Sequence, residues 1–126
     1  MIPRTLIACL AAAVLATPCL ARAAGDPEAG HKVFQQTCSL CHSNVKGVVK
    51  IGPPLYGVFG RKAASYPGFN YSDALKASGK TWDAATLEQW EAGARKLVPG
   101  TKMTFPGLKE PQQIADVIAY LQTLHD

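Results

Sequence analysis

Cys38-Ser39-Leu40-Cys41-His42 places two thiols and an imidazole within one short run. A CxxCH run is the attachment signature of a c-type haem. Its spacing has a physical reason. On a helix, residues three apart share a side, so both thiols can reach the two vinyl groups of one porphyrin. His42 follows Cys38 by four and projects from that same side, where its imidazole can coordinate the iron. Three other readings compete. A thioredoxin-like dithiol belongs in a βαβ pattern, which is absent here. Half a zinc site would need a second Cys/His pair to complete a tetrahedron. A disulfide between Cys38 and Cys41 is compatible with an oxidising compartment. Haem attachment alone uses His42 as well.

One histidine leaves the other face of the iron open. Met103, His31 and His125 are the candidates for it. Met103 lies in Val98-Pro99-Gly100-Thr101-Lys102-Met103, a turn-rich loop, whereas a Met that serves as core filler usually sits in a helical stripe. His31 is close in sequence to the attachment run, and His125 is next to the C-terminus, where fraying is expected.

The elements that must position these groups read as helices joined by long loops. Asp26 can cap a first helix with Pro27 in its first turn, placing Gly30, Val33, Phe34, Cys38 and Cys41 on one face. Ser72 to Ser78 reads as a short helix ended by Gly79. Asp83 can cap a helix carrying Leu87 and Trp90 and stopping near Gly93. Pro111 suits the first position of a last helix, with Ile114, Val117, Ile118 and Leu121 at helical spacing. Gly/Pro-rich loops fill roughly 43 to 71 and 94 to 110, and no run alternates long enough to be a strand. Loops of that length in a compact domain need an object to wrap around. The expectation is an all-α domain of three to five short helices whose loops pack on one covalently attached haem.

Residues 1 to 23 read as a cleavable secretory signal peptide. Arg4 precedes the apolar run Leu6 to Ala16, Pro18 breaks it, and Ala21-Arg22-Ala23 offers small residues for the peptidase. The run is too short for a bilayer span of roughly 20 residues. Export implies a periplasmic, soluble protein, with residues 24–126 forming a single domain. Cleavage would remove Cys9 and Cys19, leaving Cys38 and Cys41 as the thiols of the mature chain. The full chain of 126 residues is 48% hydrophobic and 17% charged, with a formal charge of +4. That composition excludes collagen, coiled coil and long disorder. The scattered positive charge does not point to nucleic acid. After cleavage, eleven Lys and Arg face nine Asp and Glu, a net +2.

The chain resembles the small class I cytochromes c of the soluble mitochondrial and alphaproteobacterial type. The landmarks run in order along the mature sequence: Gly30 and Phe34, Cys38 to His42, Gly52-Pro53, Gly57 to Lys62, Pro67 to Tyr71, Thr81-Trp82, Pro99 to Met103, Phe105, and Ala119-Tyr120-Leu121. The resemblance implies the cytochrome c fold and iron ligation by His42 and Met103. It implies that the Pro53 carbonyl accepts a bond from the His42 ring. It further implies that Arg61, Tyr71 and Trp82 hold a buried haem propionate, with Thr101 supporting that region, and that Gly30 and Phe34 pack against Tyr120 where the first and last helices cross. Some positions depart from the family. Trp90 stands where many members have a Tyr whose hydroxyl bonds the Met sulfur, Leu75 replaces a frequent Asn, and Ala92-Gly93-Ala94 lacks the usual Asn-Pro.

Ligation by His and Met saturates the iron and raises its potential. The function implied is therefore one-electron transfer without substrate turnover, and no enzyme is expected. The partners would be redox proteins: a membrane oxidase, a quinol-oxidising complex or a dehydrogenase. They would dock transiently at the haem edge of a monomer that has no stable membrane insertion. Lys102, Lys109, Arg95 and Lys96 resemble part of the family's basic ring, but Thr37, Ile51 and Glu110 stand where mitochondrial members often have Lys. Weak steering and partly apolar docking are expected. Two alternatives are a dedicated electron-accepting subunit of one dehydrogenase, separable by co-purification at high salt, and a peroxidase or gas-binding protein, separable by rapid carbon monoxide binding.

Overall fold

The computed structural model describes residues 24–126, so the expected signal peptide lies outside the described residues. Among the described residues there are four α-helices: α1 (Pro27–Val33), α2 (Asp73–Ala77), α3 (Ala84–Leu97) and α4 (Pro111–Gln122). No strand forms among the described residues; one isolated bridge pairs Lys62 with Thr81.

Each helix starts where its local chemistry dictates. The Asp26 carboxylate accepts from the Glu28 N–H ahead of Pro27. The Ser72 hydroxyl accepts from Leu75 N–H, the Asp83 carboxylate from Thr86 N–H, and Pro111 opens α4. These caps satisfy backbone donors that have no partner inside the helix.

The first and last helices cross at close quarters. A Cβ on Gly30 would drive into the Asp116 carbonyl of α4, so the small residue sets the approach. Phe34 packs on Tyr120 with ring centroids 5.6 Å apart, and the His31 ring stacks on the same tyrosine at 4.9 Å. Asp116 is buried at the crossing, where it accepts from the Asp26 N–H at 2.8 Å and from Gln112 Nε2 at 2.9 Å.

Two helices differ from the sequence expectation. α1 does not continue as a regular helix through the cysteines. It widens into a π-helical turn, Phe34–Cys38, in which Ser39 N–H bonds the Phe34 carbonyl. A π-turn adds a residue and rotates the side chains beyond it to a new direction. Gly30, Val33 and Phe34 are buried, while Cys38 and Cys41 are half-buried and border a cavity. α3 does not end near Gly93. The glycine takes an extended conformation (φ 173°, ψ 88°), which kinks the helix, and helical turns resume to Leu97. The second long loop therefore begins at about residue 98 rather than 94.

The core gathers Leu75, Trp82, Leu87, Trp90, Ala94, Ile114, Ile118 and Leu121 from α2, α3, α4 and the loop before α3. It does not close on itself. One wall of it faces the cavity.

Candidate functional site

The cavity has a volume of about 560 Å³. All nine site residues expected from sequence border it: Cys38, Cys41, His42, Pro53, Arg61, Tyr71, Trp82, Thr101 and Met103. They come from the π-turn and the turn that follows it to His42, from the loop between His42 and Ser72, from the segment before α3, and from the loop after it.

Cys38 closes the π-turn, and its carbonyl accepts from both Cys41 N–H and His42 N–H, at 3.1 and 2.9 Å. This hydrogen-bonded turn brings both sulfurs and the imidazole to the cavity. The two thiols are not joined in a disulfide. Burial pushes the Cys38 thiol up to about 12, with Glu91 and Cys41 adding to the effect.

His42 Nδ1 donates to the Pro53 carbonyl at 2.8 Å. A carbonyl can only accept, so Nδ1 carries the proton and Nε2 keeps its lone pair. Burial lowers the His42 pKa, partly opposed by the bond to Pro53 and reinforced by Lys50, which keeps the ring neutral. Gly52 presses against this ring; any Cβ there would collide with it. The imidazole is thus held in tautomer and in plane, as iron ligands are.

Of the three candidates for the opposite face, one borders the cavity. Met103 does so, with its N–H directed at Thr101 Oγ1 at 3.5 Å. His31 is stacked on Tyr120 at the helix crossing. His125 bonds the Asp126 carbonyl and lines a separate surface hollow with Lys46 and Tyr56.

Arg61 fits an anionic group. It donates to the carbonyls of Pro54 and Tyr56 at 3.2 and 3.3 Å, but its Nε is buried with no partner. A buried cationic donor left open in a cavity wall suits a carboxylate. Burial lowers the Arg61 pKa and raises that of Tyr71, whose hydroxyl accepts from Tyr66 N–H at 3.2 Å and keeps its own proton to donate. Trp82 stands edge-on to Trp90 at 4.8 Å. Trp90 and Leu75 are both buried core, so these two of the departures from the family pattern are absorbed by packing.

The sequence of residues 27–125 matches the cytochrome c family model. The chain belongs to the cytochrome c family. It is 55% identical over 107 residues to cytochrome c2 of Rhodomicrobium vannielii, covering 83% of this chain and 84% of that one. It is 49% identical to cytochrome c2 of Rhodopila globiformis, covering 79% of this chain and 94% of the relative. Its structure is similar to that of cytochrome cH from Methylobacterium extorquens, with TM-score 0.74, 50% identity, and coverage of 79% and 99%. As a cytochrome c, the protein is an electron carrier with one covalently attached haem c, not an enzyme. The residues bordering the cavity fit that group: two thiols, a neutral oriented imidazole, a thioether and an open guanidinium.

One site residue escaped the reading of the sequence. Glu91 borders the same cavity and is 6% exposed. Its signal was its position. With Leu87, Trp90 and Ala94 it occupies one face of α3, where the neighbours are apolar and buried. A carboxylate at such a place is read by type as surface and by spacing as core.

Proposed function

We propose that the protein is a periplasmic shuttle that carries single electrons between redox complexes, with the haem iron ligated by His42 and Met103. The observation that carries this reading is the His42–Pro53 bond, which leaves Nε2 free toward a cavity that Met103 also borders.

When bound, the haem supplies reversible one-electron chemistry. The chain does the rest. Cys38 and Cys41 would hold the ring by thioether bonds, so it cannot diffuse away after export. His42 Nε2 and the Met103 sulfur would be the two protein ligands of the iron, which would leave substrate and oxygen no place on it. Arg61, Tyr71 and Trp82 would neutralise and hydrogen-bond a propionate away from water, and Thr101 would steady the Met103 loop.

The surface beside the cavity suits docking. Leu40, between the two cysteines, is 79% exposed, and Ile51, next to Gly52, is 76% exposed. Isolated apolar residues at a haem edge suit a small transient contact with a membrane oxidase, a quinol-oxidising complex or a dehydrogenase. Among the described residues no helix is long and apolar enough to cross a membrane.

Substitution tests the ligand set. Met103→Ala is expected to abolish the red Met-to-iron charge-transfer band of the ferric protein and to admit carbon monoxide to the ferrous form. His31→Ala and His125→Ala are expected to leave both properties unchanged. A charge-transfer band that survives in Met103→Ala would remove Met103 from the iron.

A further inference from the structure

Glu91 is a carboxyl group on a buried face of α3 that is otherwise apolar. It shares its face of α3 with Leu87, Trp90 and Ala94. The helix cannot roll to bring it out. Leu108 N–H donates to the Glu91 backbone carbonyl at 2.7 Å, and Gly107 lies so close that a Cβ there would strike the Ala92 carbonyl. No hydrogen bond or ion pair from the described residues reaches its carboxyl. A buried charge without a partner is costly, and a Leu would pack there at no such cost.

The ionisable groups that border the cavity with it are few. From the π-turn comes Cys38, whose thiol feels Glu91 directly. From the loop before α2 come His42, Arg61 and Tyr71, and from the loop after α3 comes Lys102, whose amine is turned to the Asn70 carbonyl at 3.0 Å. On α4 the cavity is bordered by Leu121. None of these displaces the titration of Glu91; burial alone does, raising it to about 7.

We propose that Glu91 is the buried charge that biases the haem between its two oxidation states and that takes up one proton with the electron. This rests on the haem seating in this cavity and is independent of Met103 as ligand. A carboxylate in a low-dielectric wall favours the ferric centre, which carries one more positive charge than the ferrous. On electron uptake from a donor, iron(III) to iron(II), the Glu91 carboxylate accepts one proton from water and becomes a carboxylic acid. On electron release the acid returns that proton. The net charge of the site stays constant through the cycle.

The test uses the haem-loaded protein, unaltered and as Glu91→Gln and Glu91→Leu. The midpoint potential is measured from the acid to the alkaline side of neutrality. The unaltered protein is expected to lose potential as the pH rises through neutral. Both variants are expected to stay near the acid-side value, so they match the unaltered protein in acid and lie above it in alkali. A pH dependence that survives in Glu91→Gln belongs to a propionate or to another group and would overturn the proposal, as would equal potentials at every pH. A reduced-minus-oxidised infrared difference spectrum of the unaltered protein adds a readout that does not depend on either variant folding. A protonated-carboxyl band on reduction, absent in Glu91→Gln, is expected; its absence from the unaltered protein would contradict proton uptake by a carboxyl. Absence of covalent haem would instead undo the seating of the cofactor, a separate result.

Discussion

His42 gives each ring nitrogen a different task. Nδ1 is committed to Pro53, and this is what leaves Nε2 for a metal. The pair could be inferred from sequence only through family resemblance, since nothing in the spacing of Pro53 points to a ring eleven residues earlier. Arg61 is a similar case: its charge was visible, but its orphaned Nε needed the fold. Replacing Arg61 with Leu is expected to destabilise the haem-loaded protein by about 1.5–3 kcal/mol, the range for hydrogen bonds to a charged group, in denaturant unfolding. Glu91 makes a prediction of opposite sign. Its carboxyl is raised from 4.5 to about 7 by burial. An acid whose folded value is raised supports the fold fully below its unfolded value and loses that support as the pH rises through the folded one. Glu91→Gln is therefore expected to match the unaltered protein in stability near pH 4.5. Its advantage should grow up to about pH 7 and then level at about 3 kcal/mol or less. Unfolding curves across that range check it; a constant difference would contradict the buried, titrating carboxyl.

At the scale of elements, helix starts were legible and helix interiors less so. Asp26, Ser72, Asp83 and Pro111 carry their chemistry in the residue itself, and each stands where its helix begins. Glycine weakens a helix, so the sequence predicts a stop near Gly93. The structure uses it as a kink instead, since the turns beyond it are held by burial of Ala94 and Val98. The π-turn was not legible at all. A 3.6-residue period keeps Cys38 on the face of Gly30 and Phe34, whereas the fold needs Gly30 and Phe34 on α4 and the cysteines on the cavity, and one wide turn reconciles the two demands. The α1–α4 crossing supplies the element-scale prediction. Gly30→Ala puts a methyl group into the Asp116 backbone, which is not a flexible neighbour. A loss of about 1–3 kcal/mol is expected, the usual cost of overpacking, read by chemical denaturation with the charge-transfer band unchanged in the folded state.

At the scale of the whole molecule, the loops are long because a non-protein object sits where a larger core would be. That much was legible in the sequence, where Gly/Pro-rich stretches exceed what a compact domain tolerates unaided. Charge and surface decide how the carrier meets its partners. A net +2 after the expected cleavage gives little steering, and the exposed Leu40 and Ile51 lie beside the cavity that holds the chemistry. Electron transfer to a purified membrane oxidase is expected to fall only weakly with salt, and Leu40→Glu to slow it at every ionic strength. A steep fall with salt would assign recognition to the basic residues instead. The most direct test of the central claim is the absorption spectrum of the purified protein, oxidised and reduced, taken together with denaturing extraction of the haem. Haem that stays with the denatured chain, and a ferric spectrum with the weak red band of Met-to-iron charge transfer, are the predicted results. Haem that extracts freely would contradict attachment through Cys38 and Cys41, and a high-spin ferric spectrum without the red band would contradict ligation by Met103.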